Sequence, residues 1–301
     1  MRIFLTGASG YIGSAVLDAL VRGGHQVTGL VRNSEKAGQV LARGATPLIG
    51  DLADPSSYQE AAVGHEGIIH AGFDGAHAVD VDRTAVETLL AAAQSRGTGA
   101  GDRVIVYTSG IWVLGPTSLP VAEDAPLNPA AIVEYRPAHE QRVVAAAGNG
   151  LRTIVVRPGI VYGGSRGIVG DLFRDASNGL VRVIGSGENH WPVVYDRDLG
   201  DLYARFAANP AASGIYHAND EGDERVNDIV EAIVTQVPGT PDVRRVPIDE
   251  AKAKHGAYAL AMALDQRIRS PRAHALGWAP TLRSISGNTA RLFEEWRAQE
   301  V

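Results

Sequence analysis

The amino-acid sequence predicts an α/β fold: a doubly wound parallel sheet (Rossmann) with a small C-terminal substrate lobe. Three observations predict it. A glycine loop, Gly7-Ala8-Ser9-Gly10-Tyr11-Ile12-Gly13, joins the first apolar run to the first helical pattern. Apolar runs and helical patterns then alternate through the first half of the chain. The runs are continuously apolar, as strands covered by helices on both faces must be. At 301 residues the chain is long enough to bury a full core and carry an appended lobe.

Each element follows from its own residues. Residues 2–6 (RIFLT) read as a buried strand and residues 14–22 (SAVLDALVR) as a helix. Further strands are expected over 26–31, 46–49, 67–71, 103–108 and 152–156. Helices are expected over 35–42, 55–63 and 79–96, and within 130–148. Beyond Arg157 the texture changes. Residues 163–170 and 185–192 are loop-rich, with helices over 226–236, near 249–263 and over 284–298. The expected division is a dinucleotide-binding core at 1–160 and a mainly substrate-binding lobe at 161–301, interleaved with the core.

Composition narrows the function classes. The net charge of −6 argues against a nucleic-acid partner or an anionic membrane surface. The absence of cysteine excludes disulfides, thiolate catalysis and thiolate metal sites. No His/Asp/Glu spacing points to a catalytic metal. No apolar run is long enough to span a bilayer, and no secretory leader pattern precedes the first strand. The expectation is a cytoplasmic protein acting on a small molecule.

The glycine loop lies between a strand and a helix. There the backbone can approach a pyrophosphate, and the helix N-terminus offers unpaired N–H groups and a positive dipole end. Ser9, Gly10, Tyr11, Ile12 and Gly13 are therefore cofactor-binding candidates, with Gly7 at the turn. NAD-binding chains usually carry an acid about 20 residues past the glycines, which accepts from the ribose 2′-OH. This chain has Arg32 there, followed by Asn33, Ser34 and Lys36. A guanidinium pairs a 2′-phosphate in bidentate fashion, so the reading is NADP(H) rather than NAD(H). The competing reading makes Arg32 a solvated surface charge.

With Thr6 ahead of it, TGASGYIG resembles the loop of the short-chain dehydrogenase/reductase superfamily, in particular its extended and atypical epimerase/dehydratase-like branch. The resemblance continues along the chain. Gly50-Asp51-Leu52 is similar to the segment bordering adenine, which implies Asp51 and Leu52. His70-Ala71-Gly72 resembles the end of the fourth strand against the cofactor, which implies Ala71 and Gly72. Arg157-Pro158-Gly159-Ile160-Val161-Tyr162-Gly163 resembles the segment beside the nicotinamide, which implies Pro158, Gly159 and Val161. Thr108, closing the fifth strand, joins this set. Asp198-Leu199 and Leu276-Gly277-Trp278-Ala279-Pro280 resemble later motifs of the branch. The resemblance also implies a homodimer through the helices flanking the fifth and sixth strands. Asp51 has a competing role as a turn residue or cap.

The superfamily pairs a Ser or Thr after the fifth strand with a YxxxK motif, and here the pattern breaks. One register makes Tyr135 the acid, Ser109 the hydroxyl and His139 the stand-in for Lys, four residues on. A second register aligns Glu140 with the Glu that often follows YxxxK in extended members. Ile132 then takes the Tyr place and Arg136 the Lys place. Pro137 either kinks a helix that began near Ala130 or sits in the first turn of one that begins near Arg136. In the second case Tyr135 lies outside the helix.

Substrate walls are expected from residues 110–114 and 187–195, with Trp112, His190 and Trp191 as candidates. Tyr162 is a further candidate, as a substrate contact or reserve acid. The function these readings imply is NADPH-dependent hydride transfer to a small, mostly apolar carbonyl, imine or activated alkene. The alternatives are an epimerase or dehydratase with a resident dinucleotide, and a non-catalytic NADP(H) sensor.

Overall fold

The computed structural model describes residues 1–95 and 103–300. Five β–α units open the chain. They are β1 (Arg2–Thr6) with α1 (Tyr11–Arg22), β2 (Gln26–Val31) with α2 (Ser34–Ala42), and β3 (Thr46–Ile49) with α3 (Gln59–Val63). β4 (Gly67–His70) with α4 (Ala78–Gln94) and β5 (Arg103–Thr108) with α5 (Arg136–Ala145) complete them. β6 (Leu151–Pro158) and β7 (Ile160–Tyr162) follow. The second half holds α6 (Gly167–Ser177), β8 (Leu180–Ile184), β9 (His190–Trp191), β10 (Val193–Tyr195), α7 (Asp196–Ala208) and β11 (Gly214–Ala218). β12 (Glu224–Arg225), α8 (Val226–Gln236), β13 (Asp242–Val246), α9 (Ile248–His255), α10 (Ala257–Met262), α11 (Pro271–Ala275) and α12 (Thr289–Arg297) close the chain.

The main sheet has seven parallel strands in the order β11-β6-β5-β4-β1-β2-β3. The winding reverses between β1 and β4, and ligands of such sheets bind in the crevice beyond the strand ends at that point. Register places Thr6 beside both Leu30 and His70. Ile3, Leu5, Val104, Val106, Ile154 and Val156 face one helical layer, with Leu17 of α1 and Leu202 of α7. Phe4, Ile68, Ile105 and Val155 face the other, with Leu89 of α4 and Val143 of α5. A separate core beneath the C-terminal lobe gathers Phe173, Trp191, Ile229, Phe293 and Trp296.

Several expected boundaries shift for local reasons. The stretch 55–63 splits into a 3-10 turn at Pro55–Ser57, capped by Asp54, and the short α3. The stretch near 249–263 breaks into α9 and α10 at Gly256, whose φ of +60° a glycine adopts readily. The last helix begins at Thr289 after a turn at Ser286–Asn288. The expected end of α4 at Arg96 lies outside the described residues. α5 begins at Arg136 with Pro137 in its first turn, so Tyr135 is the cap residue and not part of the helix. The lobe stretch also returns to the core, since β11 extends the main sheet and α7 packs against α1.

Candidate active site

The glycine loop forms as a backbone device. Gly7 has φ +69°, and a Cβ there would lie 2.6 Å from Ala71 O. A Cβ on Gly13 would lie 1.9 Å from Gly7 O, so the helix can approach the turn only without one. α1 opens with no side-chain cap and no acid in its first turn, which leaves its N–H groups for an anionic ligand.

A groove of about 510 Å³ runs past this loop. Gly7, Ser9, Gly10, Tyr11 and Ile12 form one side, and Asp51, Leu52, Ala71, Gly72 and Phe73 the other. Arg32, Asn33 and Lys36, from the end of β2 and the start of α2, also line it, and Arg166 donates to Ser9 O of the loop. Uncapped N–H groups at the glycine loop suit the pyrophosphate of a dinucleotide, and cations line the same groove. Asn33 has a second task, since its Oδ1 caps α2 by accepting from Lys36 N at 2.9 Å. Asp51 turns its carboxylate to Ala53 N at 2.9 Å. Thr6 lies beneath the loop, fully buried. Its hydroxyl accepts from Gly72 N at 3.1 Å and meets His70 Nδ1 at 2.6 Å.

A second cavity, of about 410 Å³, opens off the groove and shares Tyr11, Ile12, Ala71, Gly72 and Phe73 with it. Ile111, Trp112, Ile132, Val133, Ile160 and Ile168 make its walls largely apolar. Trp112 meets Tyr258 of α10 edge-on at 6.1 Å, so the lobe closes one side. Thr108, Ser109, Pro158, Gly159 and Val161 also border this space.

Tyr135 and Arg136 are its chemical groups. The Arg136 guanidinium lies 5.7 Å from the Tyr135 ring centre and donates from Nη1 to Thr108 O at 3.0 Å. Burial pushes the Tyr135 phenol above its ordinary pKa, and the adjacent guanidinium opposes that shift.

Ser109 reaches the cavity with its proton already committed, because its Oγ donates to Glu140 Oε1. Glu140 is in turn held by the buried Arg157, with Nη2 to Oε2 at 2.6 Å. The Glu140–Arg157 pair anchors the first turns of α5 to β6, and Arg136 and Ile132 both border the cavity.

His139 is turned away from the cavity. It is buried, and its Nδ1 bonds Asp82 Oδ2 at 2.7 Å. Asp82 also accepts from Tyr107 Oη at 2.7 Å and bonds His70 Nε2 at 3.1 Å. Burial alone would raise this carboxyl. The bonds from His139, His70 and Tyr107 outweigh it and hold Asp82 well below the usual carboxylate range. Asp82 therefore ties the strand end under the glycine loop, through His70 and Thr6, to the helix that carries Arg136. The sequence held a signal for it. Asp82 occupies the core face of α4 with Ala85, Val86 and Leu89, where an acid is out of place unless it is paired.

Three expected substrate contacts are corrected by the structure. Tyr162 is fully buried in the lobe core, its hydroxyl directed to Asp220 and Leu282 O. Trp191 is buried and donates from Nε1 to Met262 O at 3.0 Å. His190 bonds Asp265 at 2.7 Å. None of the three borders the cavity. Ile132, Arg136, Ile168, Tyr258 and Phe73 stand there instead.

Comparison with known proteins agrees with this geometry. A family model described as NAD(P)H-binding matches residues 7–175. The chain belongs to this NAD(P)H-binding family. Its motifs resemble those of the extended and atypical branch of the short-chain dehydrogenase/reductases, and its fold is the one seen in solved epimerase structures. It is 30% identical over 285 residues to an uncharacterised protein of Schizosaccharomyces pombe, covering 93% of this chain and 95% of that one. It is 32% identical to 2-alkyl-3-oxoalkanoate reductase of Stenotrophomonas maltophilia, over 65% of this chain and 62% of the relative. Among solved structures, UDP-glucose 4-epimerase of Thermus thermophilus in complex with NAD superposes with a TM-score of 0.82. That match has 20% identity and covers 99% of both chains. A human epimerase family protein with NADPH superposes with a TM-score of 0.75 at 18% identity, over 98% of this chain and 99% of that one. Among the described residues no helix is long and apolar enough to cross a membrane, and no cluster of metal-ligating side chains is present.

Proposed function

We propose that the protein is an NADPH-dependent carbonyl reductase with Tyr135 as its proton donor. The supporting observation is the apolar cavity that opens directly off the dinucleotide groove, where the Tyr135 phenol stands beside the Arg136 guanidinium. A nicotinamide bound in the groove would supply a hydride to the carbonyl carbon. The Tyr135 hydroxyl gives the carbonyl oxygen its proton. A phenol raised by burial stays protonated at neutral pH and so remains an acid. Arg136 beside it stabilises the phenolate left behind, which water then reprotonates. With its own proton on Glu140, Ser109 offers acceptor lone pairs to a substrate hydroxyl or a water.

Arg32, Asn33 and Lys36 favour the 2′-phosphorylated cofactor. In the register that gives Ile132 the usual Tyr position, the epimerase alternative is disfavoured. The 3-oxoacid reductase name of the Stenotrophomonas relative supports ketone reduction. A core at 1–160, a lobe at 161–301, a homodimer across α4 and α5 and a cytoplasmic setting belong to the same reading.

Tyr135→Phe tests it. With a β-keto ester as substrate, followed by loss of NADPH absorbance, kcat should fall about 10²- to 10⁴-fold with NADPH affinity unchanged. An unchanged kcat would remove Tyr135 from the mechanism.

A further inference from the structure

Arg136 is a guanidinium with no direct ion-pair partner among the described residues, although the phenols of Tyr107 and Tyr135 and the carboxylate of Asp82 favour its charge from nearby. Its Nη1 is bonded to a neutral carbonyl and its Nε is enclosed without a hydrogen-bond partner. Among the described residues it makes no ion pair. The two acids nearest in the fold are already engaged. Asp82 receives bonds from Tyr107, His139 and His70, and Glu140, one turn along α5, is held by Arg157 and Ser109. A positive charge facing apolar walls is destabilising unless an anion joins it.

The cofactor does not provide that anion. Its phosphates belong to the glycine loop and the Arg32 end of the groove, while its nicotinamide end is neutral when reduced and positive when oxidised. An oxidised ring next to an unpaired guanidinium would add repulsion to burial. A direct ion-pair partner for Arg136 is left for what fills the cavity to supply.

We infer that the substrate is a carboxylate: an apolar oxo acid whose carboxyl group is held by Arg136 while its carbonyl lies by Tyr135. The planar guanidinium matches a carboxylate, and the apolar walls strengthen the pairing by excluding water. The inference relies on the reductase reading for the carbonyl and on Arg136 alone for the anion.

The test is calorimetric titration of the NADP⁺-saturated protein with octanoate and with octanamide, which share a chain and differ in charge. Octanoate should bind at least about tenfold more tightly. That preference should shrink to about onefold in Arg136→Met and survive in part in Arg136→Lys, with NADPH binding used to show that each variant is folded. Equal affinity of the two ligands for the unaltered protein overturns the inference, and so does a preference that persists in Arg136→Met. NADPH oxidation with 3-oxooctanoate and 2-octanone separates the two readings. An octanoate preference without oxidation of either ketone leaves the anion site standing and removes the reductase. Turnover of 2-octanone without any octanoate preference does the reverse.

Discussion

The dinucleotide groove and the cavity that joins it are built from different materials. The groove is made largely by backbone: glycines without Cβ atoms, an uncapped helix start and strand ends at the switch point of the sheet. The cavity is walled mainly by side chains from distant segments, among them Ile111, Trp112, Ile132, Tyr135, Ile168 and Tyr258. Backbone geometry tolerates few residue types, so a backbone-built site writes itself into consecutive letters. A side-chain-built site needs only volume and polarity from distant segments, so its signature is scattered.

Gly13→Ala breaks the groove most severely. Its Cβ would collide with Gly7 O, so NADPH affinity should drop by more than about tenfold, with about 3 kcal/mol lost in stability. Fluorescence titration and denaturant melts measure both, and a variant that binds normally would show that the loop is not tightly packed. Asp82→Asn strikes the link between the two sites. A single amide cannot accept from all three donors, so about 2 kcal/mol of stability should go. NADPH affinity and kcat should fall together, whereas a change in only one would show that the two sites are independent. Arg32→Ala is narrower. NADPH should bind about tenfold more weakly and NADH as before. Equal losses for both cofactors would make Arg32 a general cation.

The smallest effect on either site is expected from Asp220→Asn, which lies in the lobe away from both. Burial, with Glu224 and Asp223 adding to it, pushes Asp220 up to about 7 from an ordinary 3.8. The native state therefore holds this proton through a window in which the unfolded chain has lost it. The stability it contributes is complete below about pH 4, fades as pH rises to about 7 and is absent above that. Asp220→Asn should be more stable than the parent at pH 8, with the gap closing toward pH 4, as thermal melts across pH would show. Ligand affinities should not move.

The doubly wound parallel sheet was legible because it rests on local pattern: continuous apolar strands alternating with helical stretches, and a glycine spacing between the first strand and helix. Trp191, His190 and Tyr162 were misplaced because their partners come from far along the chain. Met262 O, Asp265 and Asp220 draw them into the lobe, and no local pattern records that. The break around Tyr135 was legible as two alternatives. The start of α5 at Arg136 puts Tyr135 outside the helix, and the pairing of Glu140 with Arg157, seventeen residues apart in sequence, forms only once the chain is folded.

Tyr11, Ile12, Ala71, Gly72 and Phe73 wall both spaces, and Phe73 stands exposed on the rim they share. A dinucleotide stretched along the groove thus becomes the missing side of the cavity. Without it the smaller molecule has a wall of water where it needs a surface. On the reading proposed above, this shared wall implies an order in time, with the cofactor binding before the second ligand and leaving after it.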